Sequence, residues 1–246
     1  MADGALLGAP LAFVVELVVL YAAGSYAMGR LAGLSGSLGG GIGMGLFYLL
    51  IFPGVVLHES AHYLACLLTG TKVLRFAPFA PRRSGDGRLM LGYVRHERRA
   101  FPIGGIIGLA PILLNPLGIL LVSALLTPLT FQEAANPSFG IVREEISASG
   151  FLANNPLLAA VWAYLSLSFA LGSVPSREDL SSLPMLLLVF GAGVFLIGLF
   201  NAGSGDVFSP AIHDLSALAA GLYALPAAVA VVAALATGLW SQSARY

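Results

Sequence analysis

The stretch from residue 43 to residue 69 reads GMGLFYLLIFPGVVLHESAHYLACLLT, and its reading decides the fold. It is apolar enough and long enough to cross a bilayer as a helix, which takes about 20 such residues. Near its second half it carries His58-Glu59-Ser60-Ala61-His62. Ionisable groups at membrane depth are costly unless they are paired or functional. Histidines four apart share one helix face, one turn from each other. The stretch therefore predicts a membrane helix built around a site, with a kink at Pro53 one turn ahead of it.

The rest of the chain agrees with a bilayer setting. Of 246 residues, 58% are hydrophobic and 10% charged, and the mean hydropathy is +0.89. Soluble domains carry about 25% charged residues. The formal net charge is zero, so no nucleic-acid partner is expected. The lone Cys66 excludes an intrachain disulfide framework and reads as a small core residue. No Lys or Arg precedes the first apolar run, which predicts a retained helix rather than a cleaved leader. Glu16 interrupts that run and reads as a neutral carboxyl at a helix contact.

Six spans are predicted, at about 6–28, 43–69, 102–126, 156–172, 184–201 and 214–239. Gly33 to Gly45 is Gly/Ser-rich and reads as a loop or tight turn. The segment between Thr69 and Phe101 holds eight of the twelve basic residues: Lys72, Arg75, Arg82, Arg83, Arg88, Arg95, Arg98 and Arg99. Short basic loops stay cytoplasmic. Lys72–Phe79 and Arg88–Arg95 are extended in character, with Gly85 and Gly87 between them, which predicts a β-hairpin. The loop 127–155 is poor in basic residues and is expected on the opposite side, Arg143 notwithstanding. The expected whole is one all-α polytopic membrane domain over 1–246 with a small β-hairpin between helices 2 and 3. Its termini would be cytoplasmic and its seat the cell membrane. The catalytic core would cover about 44–185, the basic hairpin about 70–101, and peripheral helices about 6–28 and 186–239.

Two imidazoles on adjacent turns can ligate one tetrahedral zinc, and Glu59 beside them can take a proton from the metal's water. Such a hydrolytic zinc has a third protein ligand. Candidates are His96, Glu97, Glu178, Asp179, Asp206, His213 and Asp214. His58 lies about 17 Å of helical rise from Thr69, so the site belongs toward the basic-loop side of the membrane. That side also receives the loop after the fourth span. There Pro175 breaks the helix, and Ser173-Val174-Pro175-Ser176-Arg177-Glu178-Asp179 can dip back to bring Asp179 to the metal. The competing reading of that loop is a solvated acidic pair.

Three motifs together resemble the site-2 protease family of intramembrane zinc metalloproteases. They are His58–His62, then Gly108-Leu109-Ala110-Pro111-Ile112-Leu113-Leu114-Asn115 on the next helix, then Pro175 to Asp179. Ala110 stands where the family often has Gly, Asn115 falls one residue late, and no Leu-Asp-Gly surrounds Asp179, as in a divergent member. The resemblance implies one zinc per chain on His58, His62 and Asp179, with Glu59 as the catalytic base. It also implies that Asn115 binds substrate backbone or the oxyanion, where the alternative is an amide joining helices. The implied activity is cleavage of transmembrane or membrane-proximal segments of membrane-protein or peptide substrates. Rivals are a prenyl-protein-protease-like metallohydrolase and a non-enzymatic transporter or scaffold. No oligomeric state follows from the sequence.

Overall fold

A computed structural model describes residues 3–37, 41–83, 89–134, 144, 146, 149–176, 179, 181 and 209–243. The described chain is mostly helical. α1 is Asp3–Ser37, α2 Gly41–Leu68, α3 Ile103–Leu126, α4 Phe131–Ala134, α5 Phe151–Asn154, α6 Pro156–Gly172 and α7 Ser209–Ser243. Between α2 and α3 lie four short strands: β1 Val73–Ala77, β2 Arg82–Arg83, β3 Leu89–Met90 and β4 Tyr93–His96.

Among the described residues, four helical segments are long and apolar enough to cross a membrane: Val15–Ser37, Gly41–Leu68, Ile103–Leu126 and Gly221–Gly238. This marks a membrane protein. Apolar side chains also point outward in rows, as on α3, where Leu113, Leu117, Leu121 and Leu125 are 41–70% exposed at four-residue spacing. Water does not tolerate such a stripe, and lipid does. Of the six expected spans, 156–172 is an apolar helix of 17 residues, shorter than a full crossing, and 184–201 lies outside the described residues. The Gly33–Gly45 loop is corrected. α1 runs to Ser37 and α2 begins at Gly41, so five residues at each end of the expected loop are helical. Glycine costs a helix only about 1 kcal/mol against alanine, which packing readily outweighs.

α2, α3 and α6 pack on one another, while α1 lies along α7 beside them. The three-helix core closes through small residues. A side chain on Gly54 would run into the Ser168 backbone carbonyl, and one on Gly172 would lie 2.5 Å from the Gly54 carbonyl oxygen. The Gly54 N–H donates to Ser168 Oγ at 2.8 Å across this crossing. Gly118 of α3 meets Leu57 and Phe169 in the same way.

Helix prolines supply the other joints. A proline removes the donor for the carbonyl four residues earlier, and lipid offers no water in exchange. Pro53 strands the Leu49 carbonyl, which accepts from Tyr164 Oη of α6 at 2.7 Å. Pro116 strands the Ile112 carbonyl, which accepts from Tyr223 Oη of α7 at 2.7 Å. Pro111 strands the Ile107 carbonyl, whose partner is the His62 ring of α2.

The basic segment folds back on itself as expected. β1 pairs antiparallel with β4, and β2 with β3, while the expected turn around Gly85 and Gly87 lies outside the described residues. The two ladders are linked by Ala80 N–H to Leu91 O at 2.6 Å, and Glu97 N–H to Lys72 O closes the base at 3.0 Å. One face docks on the helices. Phe76 stacks on Tyr63 of α2 with centroids 4.7 Å apart, and Val94 packs against the cluster of Ala65, Cys66 and Ile107.

Candidate metal centre

His58 and His62 project from α2 as the helical spacing predicts, with ring centroids 4.9 Å apart. Each ring is oriented by a backbone carbonyl. His58 Nδ1 lies 2.7 Å from Gly172 O, among the last carbonyls of α6, which have no helical partner. His62 Nδ1 lies 2.8 Å from Ile107 O, the carbonyl that Pro111 leaves without a donor. A carbonyl oxygen can only accept, so Nδ1 carries the proton in both rings. Both Nε2 lone pairs are thereby available, the tautomer a metal requires.

Facing them is Asp179. Its Oδ1 lies 3.1 Å from His62 Nε2 and its Oδ2 3.5 Å from His58 Nε2. The Ser176 N–H donates to Oδ2 at 2.7 Å, and the Asp179 N–H donates to Ser176 Oγ at 3.2 Å. This reciprocal pair has the pattern of a capping box, Ser-x-x-Asp. It aims the carboxylate while holding its backbone. The three side chains are only 9–13% exposed.

His58, His62 and Asp179 each offer a ligand atom, and these atoms all lie within 4.8 Å of one another. The group could hold a metal ion. No family model, curated protein or solved structure matches this chain. The site is therefore read from its own geometry.

A cavity of about 1060 Å³ opens over these three side chains. Glu59 lines it, together with Gly108 of α3, Gly172 of α6 and the hairpin residues Gly92 and Tyr93. A Cβ on Gly92 would come 2.7 Å from Glu59 Cγ and 2.8 Å from the Pro78 carbonyl, so only glycine lets the hairpin sit this close to the glutamate. Tyr93 and Met90 put aromatic and sulfur surface on the same wall.

The other candidates fall elsewhere. His96 lines the cavity, but its Nδ1 is engaged with the Glu97 carbonyl at 2.8 Å and it is not in the ligand group. Glu97 is near Arg99 at 4.0 Å. Glu178 and Asp206 lie outside the described residues, as do the side chains of His213 and Asp214. Asn115 is fully buried in α3 and absent from the cavity wall. It stands about 10 Å of helical rise beyond Gly108, and among the described residues neither amide atom has a hydrogen-bond partner. Glu16 Oε2 is similarly buried without one. The sequence reading overlooked Ser176, Ile107 and Gly172. A capping-box search finds Ser176, and counting four residues back from Pro111 finds Ile107. The Gly172 carbonyl leaves no sequence signal of its function.

Proposed function

We propose that this chain is an intramembrane zinc endopeptidase, a divergent relative of the site-2 proteases. The observation that carries the reading is the convergence of His58, His62 and Asp179 with Glu59 in one cavity among membrane-spanning helices. Zinc suits the donor set: two neutral imidazoles and one carboxylate leave a fourth position open for water. Metal–ligand bonds of about 2.0–2.1 Å place tetrahedral ligands about 3.4 Å apart. The observed His–Asp separations, 3.1 Å to Oδ1 and 3.5 Å to Oδ2, are of that size, each to a different carboxylate oxygen.

A bound zinc supplies Lewis acidity toward a water and the scissile carbonyl. The chain's own groups do the rest. Glu59 takes the proton as water oxygen bonds to the carbonyl carbon, then returns it to the amine nitrogen as the C–N bond breaks. Asp179, charged and aimed by Ser176, and the two carbonyl-oriented histidines keep the ligands in place without rearrangement. The cavity holds the substrate segment, which must be locally unwound for its amide to be reached. The proposed substrate is a transmembrane or membrane-proximal segment. The proposed setting is the cell membrane, with the basic hairpin on the cytoplasmic side.

The test compares purified wild type, Glu59→Gln and Asp179→Ala for zinc content and for cleavage of a reporter membrane segment. Wild type should hold about one zinc per chain. Glu59→Gln should keep the zinc and lose cleavage by at least about 100-fold. Asp179→Ala should lose both. Undiminished cleavage by Glu59→Gln would remove the mechanism, and unchanged zinc in Asp179→Ala would move the third ligand elsewhere.

A further inference from the structure

The hairpin carries a charge arrangement that its own fold does not neutralise. Register shifts between Val73 and Arg75, a bulge at Leu74 that sets Arg75 directly opposite Arg95. Like charges so placed repel. Tyr93 lies two residues before Arg95, on the same face of β4, and a third guanidinium joins them from β2. Arg82 Cζ is 4.8 Å from the Tyr93 ring centroid, Arg75 Cζ 5.8 Å and Arg95 Cζ 5.9 Å. One aromatic ring attracts cations but carries no net charge to cancel three. All three arginines are exposed, and among the described residues none has a carboxylate partner.

The location points to what completes the arrangement. The opposite face of the sheet is fastened to the end of α2 by the Phe76–Tyr63 stack. In the last turn and a half of that helix, Leu64, Leu67 and Leu68 are 45%, 55% and 88% exposed. Exposed leucines and the arginine-bearing hairpin thus sit at the same end of α2, where acyl chains would give way to headgroups. Phosphodiesters are the anions at that depth, and guanidinium forks match their oxygens.

We propose that Arg75, Arg82 and Arg95, gathered around Tyr93, bind the phosphodiester headgroup of an anionic glycerophospholipid whose acyl chains lie along the end of α2. Tyr93 also walls the cavity over the metal group, and the adjoining Gly92 packs on Glu59. A bound headgroup therefore steadies the strand that positions Glu59. The binding itself rests on the membrane setting alone and is independent of the reaction assigned to the cavity.

The full chain, purified in a neutral detergent, is incubated with phosphatidylglycerol or phosphatidylcholine, and the retained lipid is counted by native mass spectrometry. Wild type should retain phosphatidylglycerol preferentially. Arg75→Gln with Arg95→Gln should weaken that retention by about 10- to 30-fold, the effect of two interfacial arginines. The charge-matched pair Lys72→Gln with Arg83→Gln should retain most of it. Because a poorly folded variant would also lose lipid, Arg75→Lys with Arg95→Lys provides a second reading. It keeps the charge and the strand pairing, removes the forks, and should fall between wild type and the glutamine pair. Equal retention of the two lipids by wild type, or equal losses in the two charge-matched pairs, would overturn the proposal. So would displacement of the lipid by millimolar inorganic phosphate, which would make this a site for a free anion.

Discussion

Asn115 separates a role implied by motif from a role supported by position. The resemblance puts its amide at the oxyanion, yet the side chain is fully buried and absent from the cavity wall. Its Nδ2 and Oδ1 are unpartnered among the described residues. A buried amide without partners is a net cost, and an apolar side chain of similar volume removes it. Asn115→Leu should therefore keep cleavage within about threefold of wild type and raise stability by about 1–3 kcal/mol. Parallel activity assays and thermal melts check this, and a loss of cleavage approaching that of Glu59→Gln would restore the oxyanion role. His58, Glu59 and His62 were legible because helical periodicity is local. Asp179 was selected through loop topology, and its aim comes from Ser176, three residues away, by a capping box that is also local.

Among the elements, α3 shows how a helix break becomes a tool. Pro111 lies on α3 and His62 on α2, and the Ile107 carbonyl joins them. Pro111→Ala would return an N–H to that carbonyl and set it in competition with His62 Nδ1. The ring would then lose the hydrogen bond that fixes its tautomer. Metal affinity should fall by about 10- to 100-fold, the usual effect of removing a ligand's outer hydrogen bond. Helical content should hold or rise, since alanine is the better helix former. Metal titration with circular dichroism checks both, and unchanged affinity would show that the carbonyl does not govern the ring. The same logic explains Tyr164 on Leu49 O and Tyr223 on Ile112 O. The prolines were visible in the sequence, but which side chain would reach each stranded carbonyl was not. That depends on which helices become neighbours.

Across the whole molecule, the metal group ties α2 to the segment after α6, while both are already joined at the Gly54–Gly172 crossing and by the His58–Gly172 bond. The core is thus assembled by helix packing, and a bound metal would add to it by linkage. Chelation should lower the melting temperature without unfolding the chain. The loss should be about 3–4 kcal/mol where free metal had stood 100- to 1,000-fold above its Kd. Thermal melts with and without chelator, followed by metal readdition, check this. Collapse of helical content on chelation at room temperature would show that the fold depends on the ion.

By itself the sequence determined the membrane setting, the helix bearing His58 and His62, and the hairpin carrying most of the basic charge. These follow from composition and from periodicities of two and 3.6 residues, which act over short stretches. Only the tertiary structure decided that α1 continues through the glycines to Ser37, that Asn115 does not line the cavity, and that Gly92 sits against Glu59. It alone also gathered three arginines about Tyr93. The reason is physical. A glycine's cost in a helix, the direction a buried amide faces and the register of a bulged strand are each worth about 1 kcal/mol locally. Packing among distant segments outweighs preferences of that size.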